Sequence, residues 1–473
     1  MSRRPFEPGS AIPNSSAFEN TCSSGPTILL AAGRRSPLQT TPRVLVAGGG
    51  LAGLVAARHL AAAGADAALL ERRERVGGRV RTLERDGYRF DRGFQVLFTA
   101  YPAVRRELDL EALELRRFAP GATIAGPDGR SVLADPLREP GTIAKTLSTP
   151  FVSVGDALRV ARLWWELRQT DPDELFAGSD ERIDAFLRDR GFSDAFIEGF
   201  VAPFYGGITL DQSISISRHV FEYTFKTLAA GEMAVPAAGM GAIPTQLAAR
   251  VHEAGGTIRT GVGVESVAAD GGNSSRERPN TDGSVTVETD EGTVAADAVV
   301  VATDPPTARD LTGVESIPTD ARGCVTQYYA LPDDIDLETG RRLLLNATDR
   351  GPNHVVPHSA VAPEYAPDGM ALLSATYLGV PDESDDALAD RTRAALESWY
   401  PDREFDALEA LHTERVPFAQ FVQLPGFRDR LPDARDPAGS VYLAGDYTQW
   451  SSIQGAMESG RDAAKAMIDD LSR

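Results

Sequence analysis

The residues most able to do chemistry are Gly48-Gly49-Gly50-Leu51-Ala52-Gly53, which fit the pattern G-x-G-x-x-G through Gly48, Gly50 and Gly53. In that pattern the first glycine permits a tight turn out of a strand. The second lets a pyrophosphate approach the backbone, and the third lets a helix pack close to a sheet. A helix that opens at Leu51 and Ala52 offers free N–H groups and a partial positive charge to the phosphates. Glu71 follows at about the 20-residue distance at which a carboxylate accepts hydrogen bonds from a ribose hydroxyl, and an acid there disfavours a 2′-phosphate. A glycine cluster alone is also what a plain packing turn looks like. The strand before this one, the helix after it and Glu71 together predict a dinucleotide site.

The next stretch, Glu71-Arg72-Arg73-Glu74-Arg75-Val76-Gly77-Gly78-Arg79, separates FAD from NAD. Gly77 and Gly78 let the backbone pass close to a phosphate or a flavin. Arg79 can make charge-assisted, bidentate bonds to the pyrophosphate. An NAD domain needs neither, whereas a solvated charge run explains Arg72 and Arg75 but not the Gly-Gly-Arg. At the other end of the chain a short strand, Val441-Tyr442-Leu443, runs into Ala444-Gly445-Asp446, and Ser452-Ile453-Gln454-Gly455-Ala456 opens a final helix.

These segments resemble the FAD-dependent amine oxidase superfamily, which includes monoamine and polyamine oxidases, protoporphyrinogen oxidases and phytoene desaturases. In Pro203–Ile208 and Ala237–Pro244 the chain is most similar to the desaturase and protoporphyrinogen-oxidase branch. The resemblance covers nearly all of Arg43–Arg473. It implies non-covalent FAD, with Glu71 on the adenosine ribose and Arg72, Arg73, Gly77, Gly78 and Arg79 lining the pyrophosphate and flavin. It also implies that Asp91-Arg92-Gly93-Phe94-Gln95 passes beside the isoalloxazine ring, and that Gly239-Met240-Gly241 approaches it. By the same resemblance the backbone of Val264 meets adenine and Asp446, after Gly445, contacts the ribitol–phosphate region. The helix opening at Ile453, Gln454 and Ala456 aims its N terminus at the flavin C2 carbonyl. A helix N terminus there stabilises the negative charge of reduced flavin.

On the substrate side two features depart from an amine oxidase. Such enzymes usually hold a lysine near flavin N5, but no lysine occurs between Lys226 and Lys465, and arginine does not readily give up a proton. Cys324 is the last cysteine and lies far before Gly445, which excludes flavin attached to a C-terminal cysteine. Aromatic residues gather in Phe196–Phe225 (Phe200, Phe204, Tyr205, Phe221, Tyr223, Phe225) and read either as an apolar pocket or as plain helical core. Gln95, Tyr205 and Gln420 are the candidates for polar contacts at the reacting centre. His354 and His358 lie in a Pro/Gly-rich loop and could be ligands or bases, although they read more readily as structural or surface histidines.

The expected activity is hydride transfer from an apolar organic substrate, polyene-like or tetrapyrrole-like, to flavin, with oxygen or a quinone as acceptor. The alternatives are an amine oxidase, a non-redox FAD-dependent isomerase and a non-catalytic FAD-binding partner. Each makes a different experimental demand: peroxide from amines, turnover without net electron transfer, or flavin that no substrate bleaches.

The elements that must position these residues follow from pattern. Arg43–Ala47 and Ala67–Leu70 read as strands flanking a helix over Leu51–Ala63, a βαβ unit. Val154–Gln169, Glu181–Arg190 and Ser384–Trp399 carry apolar residues at helical spacing. Thr257–Asp270, Ser284–Val301, Thr326–Ala330 and Ala371–Leu378 read as strands, with a polar loop at Gly271–Gly283. The fold class is α/β: a Rossmann-type FAD-binding domain with an interleaved α+β substrate domain of antiparallel sheet and helices. The expected division is a disordered leader at 1–42, an FAD-binding domain from 43–134, 236–306 and 435–473, and a substrate domain from 135–235 and 307–434.

The chain of 473 residues carries 68 acidic against 48 basic residues, a net charge of −20, and its only lysines are Lys145, Lys226 and Lys465. This charge disfavours nucleic acid and anionic lipid surfaces as partners and reads as adaptation to a salt-rich cytoplasm. Two cysteines make neither a disulfide framework nor a zinc site, so no metal is expected. No apolar run approaches the length of a membrane span. Peripheral membrane contact for substrate uptake remains compatible with the pattern, and oligomeric state is not legible.

Overall fold

The structure is a computed structural model. It describes residues 41–472 except 127–128, 135–138, 140, 142–145, 147–148, 270–284 and 349–350. The leader expected over 1–42 lies, but for its last two residues, outside the described residues, as does the loop Gly271–Gly283.

The chain enters through the strand β1 (Arg43–Ala47), the helix α1 (Leu51–Ala62) and the strand β2 (Asp66–Glu71). They belong to a five-stranded sheet in the order 257–260, β2, β1, 298–301, 441–443, and every pairing in it is parallel. Parallel strands are covered on both faces, which is why Val44–Ala47 and Ala298–Val301 are continuous apolar runs and are almost wholly buried. The last helix, Ile453–Leu471, lies against α1 with its stripe of Met457, Gly460, Ala463, Ala464, Met467 and Ile468 buried. The crossing is close because a Cβ on Gly460 would stand 2.2 Å from the Ala52 carbonyl oxygen.

A seven-stranded mixed sheet makes the second layer, in the order 409–421, 321–332, 370–378, 354–357, 343–346, 122–126, 129–133. The helix Asp385–Trp399 buries Leu388, Leu396 and Trp399 in a core shared with Tyr329, Leu344 and Val355 of this sheet. Helices over Val154–Gln169, Ile183–Asp189, Ala202–Thr209 and Arg218–Ala230 form the helical part. The architecture is the expected one, a doubly covered parallel sheet with an interleaved layer of sheet and helices.

Several boundaries differ from the sequence expectation. The hairpin of Ala122–Gly126 and Gly129–Leu133 pairs in parallel with Leu343–Asn346 of the mixed sheet, so the chain leaves the parallel-sheet layer before Ala122 and not at 134. Thr257–Asp270 is two strands in different sheets: Thr257–Thr260 extends the parallel sheet, and Val264–Ala269 starts a three-stranded antiparallel one. The break follows from backbone bonds, since Gly261 N donates to Arg73 O and Val262 N to Glu71 O, wrapping the chain around the end of β2. Ser284–Val301 divides into Val285–Thr289, Gly292–Ala296 and Ala298–Val301. At the last break the Asp297 carboxylate accepts the Arg43 N–H at 2.7 Å. His354 and His358 are not in a loop: His354 begins the buried strand His354–Pro357, and His358 begins the short helix after it.

Candidate functional site

A cavity of about 590 Å³ opens between the carboxyl ends of the parallel strands and one face of the mixed sheet. Its walls include Gly48, Gly50, Leu51 and Ala52 from the glycine turn, and Glu71, Arg72, Arg73, Gly77, Gly78 and Arg79 from the segment after β2. Gly93, Phe94, Gln95, Val264, Gln420, Gly445, Asp446, Ile453 and Ala456 complete the sequence-expected set that lines it.

Two glycines of the turn do different work. Gly48 has φ +109°, and a Cβ there would meet Ala302 O at 2.6 Å, so this position belongs to the turn and its packing. Gly50 has an ordinary φ of −72°, and a Cβ would meet nothing within 4 Å, because the position faces the open cavity. The Glu71 carboxylate is buried and clamps the turn: Gly49 N donates to Oε2 at 2.8 Å and Arg73 N to Oε1 at 3.0 Å. A carboxylate has about four acceptor sites, so both oxygens keep capacity for hydroxyl donors in the cavity.

Arg79 and Asp446 join the two ends of the chain. Arg79 Nη2 donates to Asp446 Oδ1 at 2.5 Å and Nη1 to Ala419 O at 2.9 Å, while Ser451 Oγ donates to Asp446 Oδ2 at 2.7 Å. Burial works to lower the Arg79 pKa, but the adjacent Asp446 outweighs it and the net shift is upward, so the guanidinium stays charged. Ser452 caps the final helix, its Oγ accepting from Gly455 N at 2.8 Å. The N–H groups of Ile453 and Gln454 have no intrahelical acceptor.

The strap Arg92–Gln95 runs beneath the cavity and is pinned by Asp91. The Asp91 carboxylate accepts from Thr82 Oγ1 (2.5 Å), Met240 N (2.9 Å) and Tyr365 OH (2.9 Å), and its carbonyl accepts from Tyr328 OH at 2.7 Å. Burial pushes its pKa up to about 6 against these bonds. Gln95 Nε2 donates to Arg79 O at 2.9 Å, and its Oε1 is a buried acceptor without a partner among the described residues.

Gly53 does not line the cavity; a Cβ on it would meet Gly48 O at 2.0 Å, the close helix packing expected of the third glycine. Three other sequence expectations shift. The Gln454 side chain turns away, its Oε1 accepting from Ala103 N at 2.8 Å. Tyr205 is core, its ring 4.6 Å from that of Phe221, and of the aromatic group in Phe196–Phe225 only Phe204 lines the cavity. Gly239 and Gly241 pack on Thr82 instead of lining the cavity.

Sequence reasoning ranked His354 as structural or surface before ligand or base, yet it lines the cavity from the sheet face together with Leu343 and Leu345. It is buried, and burial lowers its pKa to about 4, so the imidazole is neutral near pH 7. Its Nδ1 lies 3.0 Å from Asn353 Nδ2, which also donates to Pro203 O. That assignment makes Nδ1 an acceptor and leaves a hydrogen on Nε2, which has no partner among the described residues. The available signal was the short β-branched pair Val355-Val356 after it, obscured by the Pro and Gly around the segment. Asp304, Trp450 and Ser451 also line the cavity and were not foreseen, and Arg92 lines it from the stretch expected beside the flavin. Among the described residues no cluster of His, Cys, Asp or Glu is placed to hold a metal, and no helix is long and apolar enough to cross a membrane.

Comparison with known proteins agrees with this geometry. The family described as "Flavin containing amine oxidoreductase" matches residues 51–468. A phytoene dehydrogenase of Streptomyces griseus is 28% identical over 303 residues, 57% of this chain and 56% of that protein. A carotenoid 3,4-desaturase of Haloarcula japonica is 60% identical over 50 residues, 11% of this chain and 10% of that protein. The chain thus matches little more than half the length of the first of these relatives and a small part of the second. Among solved structures, a candidate protoporphyrinogen oxidase of Exiguobacterium sp. 255-15 has a TM-score of 0.67 at 19% identity, covering 91% of this chain and 99% of that one, a likeness of fold.

Proposed function

We propose, from the premise that this chain belongs to the flavin containing amine oxidoreductase family, that it takes hydride from an apolar organic substrate, polyene-like or tetrapyrrole-like. FAD, when bound, would supply the hydride acceptor, with oxygen or a quinone as the final electron acceptor.

The chain's own residues divide the cavity into two chemistries. The charged groups that line it are Glu71, Arg72, Arg73, Arg79, Arg92, Asp304 and Asp446, none of which lies on the mixed sheet. Glu71 would hold the ribose. Arg79, the backbone at Gly50 and the N terminus of α1 would hold the pyrophosphate, without a covalent link, and the open space at Gly50 fits such an approach. Gln95 Oε1, a buried acceptor with no protein partner, fits a cofactor that carries N–H donors. The N terminus at Ile453 would favour negative charge on the ring. Val264 would meet the adenine.

The substrate half is the single observation that carries the reading. Phe94, Phe204, Ile208, Leu210, Leu343, Leu345, Val416 and Phe418 line it, and no lysine lines any part of the cavity. Such a wall excludes water and orients an apolar ligand through shape. His354, a neutral N–H donor, is available to hydrogen-bond a ligand but is too weak a base to take a proton near pH 7. The acidic excess is read as adaptation to a salt-rich cytoplasm.

The test is anaerobic mixing of the FAD-loaded protein with polyenes, porphyrinogens and amines. Bleaching of the flavin by a polyene or porphyrinogen is expected. Bleaching by amines alone, with peroxide released on admitting air, overturns the reading in favour of an amine oxidase.

A further inference from the structure

In the apolar half of the cavity, Thr209 and Gln420 are tied to the helix Ala202–Thr209. Thr209 Oγ1 donates to Tyr205 O at 2.8 Å and Gln420 Nε2 to Ile208 O at 2.7 Å. His354 differs from both. It pairs with Leu345 across the sheet, and its Nε2 is buried with no hydrogen-bond partner among the described residues.

The chain itself decides which imidazole nitrogen carries the hydrogen. Asn353 Nδ2 lies 2.9 Å from Pro203 O and 3.0 Å from His354 Nδ1. A carbonyl oxygen only accepts, so Nδ2 is the donor end of the amide, and its second hydrogen goes to Nδ1. Nδ1 therefore accepts, and the one hydrogen of the neutral ring sits on Nε2. The helix Ala202–Thr209 passes close enough to hold this arrangement. A Cβ on cavity-lining Gly207 would stand 3.0 Å from Asn353 Nδ2 and 3.1 Å from His354 Nδ1.

A buried N–H without an acceptor is costly, and a ligand oxygen is one way to satisfy it. The wall around it is uncharged. Phe94, Phe204, Leu343 and Leu345 line the cavity with it, and no charged residue does so from the mixed sheet. A carboxylate buried there would face a neutral imidazole and no counter-charge, whereas a hydroxyl or carbonyl oxygen needs only a donor.

We propose that His354 selects the substrate: its Nε2–H donates to a neutral hydroxyl or carbonyl oxygen on an otherwise apolar polyene, which the enzyme prefers to a hydrocarbon of the same shape. This rests on the reading of an apolar substrate and narrows it, away from tetrapyrroles recognised through carboxylates. Nε2 lies behind the wall surface. An incoming oxygen reaches it by easing aside the half-buried Phe94 ring, whose centroid is 5.1 Å from that of the imidazole at 61° between planes. Asn353 is a positioning residue, since it acts through the imidazole.

The test uses two polyenes matched in length, one with a single terminal hydroxyl and one a hydrocarbon, each mixed anaerobically with the FAD-loaded protein at limiting concentration. Wild type is expected to be bleached faster by the hydroxylated polyene, by at least about tenfold. His354→Phe, which keeps a ring and loses the donor, is expected to bring that ratio close to one. His354→Gln, which keeps an N–H donor, is expected to retain part of it. The ratio is taken within one protein preparation, so a loss of folding or flavin affects both rates alike. A wild-type ratio near one, or His354→Phe with the wild-type ratio, overturns the proposal. Bleaching by neither polyene overturns the hydride-transfer reading instead. The dissociation constants of the same two polyenes, read from the shift of their own absorption, then decide the role of His354 by the same ratio. Saturable binding of neither overturns both.

Discussion

Substituting alanine at Gly50 and, separately, at Gly48 separates cofactor contact from folding. Gly50 precedes α1 with φ −72° and an open site for Cβ, so alanine there meets no protein atom. Lower entropy in the unfolded chain favours alanine, a poorer N-cap disfavours it, and the net change stays within about 1 kcal/mol. A methyl at that place holds a phosphate off the backbone. Losing two charge-assisted bonds of about 1.5–3 kcal/mol each weakens flavin binding by at least about 100-fold. At Gly48 the expectation reverses. There φ is +109° and the added Cβ would sit 2.6 Å from Ala302 O, so alanine costs stability of about 2–4 kcal/mol from backbone strain and overpacking. The assay is thermal unfolding of the flavin-free proteins beside titration with FAD. A Gly50→Ala protein that binds FAD like wild type, or one that unfolds as Gly48→Ala does, refutes the reasoning.

Arg79→Ala leaves the buried Asp446 carboxylate with one fewer donor and removes the proposed pyrophosphate contact. Because the Arg79 side chain is 30% exposed, the stability loss is expected at about 1–3 kcal/mol, below that of a fully buried pair, with a larger loss in FAD affinity seen by titration. Asp91 ionises near 4 in an unfolded chain but near 6 in the fold, so folding takes up a proton between these values. Wild-type stability relative to Asp91→Asn is therefore expected to be greatest below pH 4 and to fall by about 3 kcal/mol as pH rises through 6, measured by denaturant unfolding across pH. Tyr205→Phe, in the aromatic core, is expected to leave substrate-dependent bleaching unchanged, whereas Gln95→Leu, on a residue lining the cavity, is expected to slow it; equal effects would contradict the placement.

What could be read in advance was whatever chemistry lay in contiguous residues. Gly48–Ala52, Glu71, Gly77–Arg79, Gly445–Asp446 and Ile453 each need only a local turn or a helix start to reach the cavity. The misplacements share a cause: they depended on pairings between distant segments. Leu343–Asn346 decides where Ala122–Gly126 goes, and nothing local announces it. Gly239–Gly241 has the composition of a loop beside a ligand, but Thr82 and Asp91 take up its N–H groups. Tyr205 sits one residue from cavity-lining Phe204, and only the helix's rotation decides which ring faces inward. Gln454 shows the same limit at a helix start: its position was right, and its side chain points to Ala103. The turn Asp86-Gly87, with φ of 53° and 81°, carries a strong hairpin signature and was legible but passed unread.

The claim on which the rest depends is that segments near both ends of the described residues enclose one flavin, between the glycine turn on one side and Asp446 with the Ser452-capped helix on the other. Titration of flavin-free protein with FAD, followed by flavin fluorescence and by equilibrium dialysis, measures it directly. Saturation at one FAD per chain, weakened alike by Gly50→Ala near the N-terminal end and by Asp446→Ala near the C-terminal end, is the predicted result. No saturable uptake, or uptake that one of these substitutions leaves untouched, contradicts it.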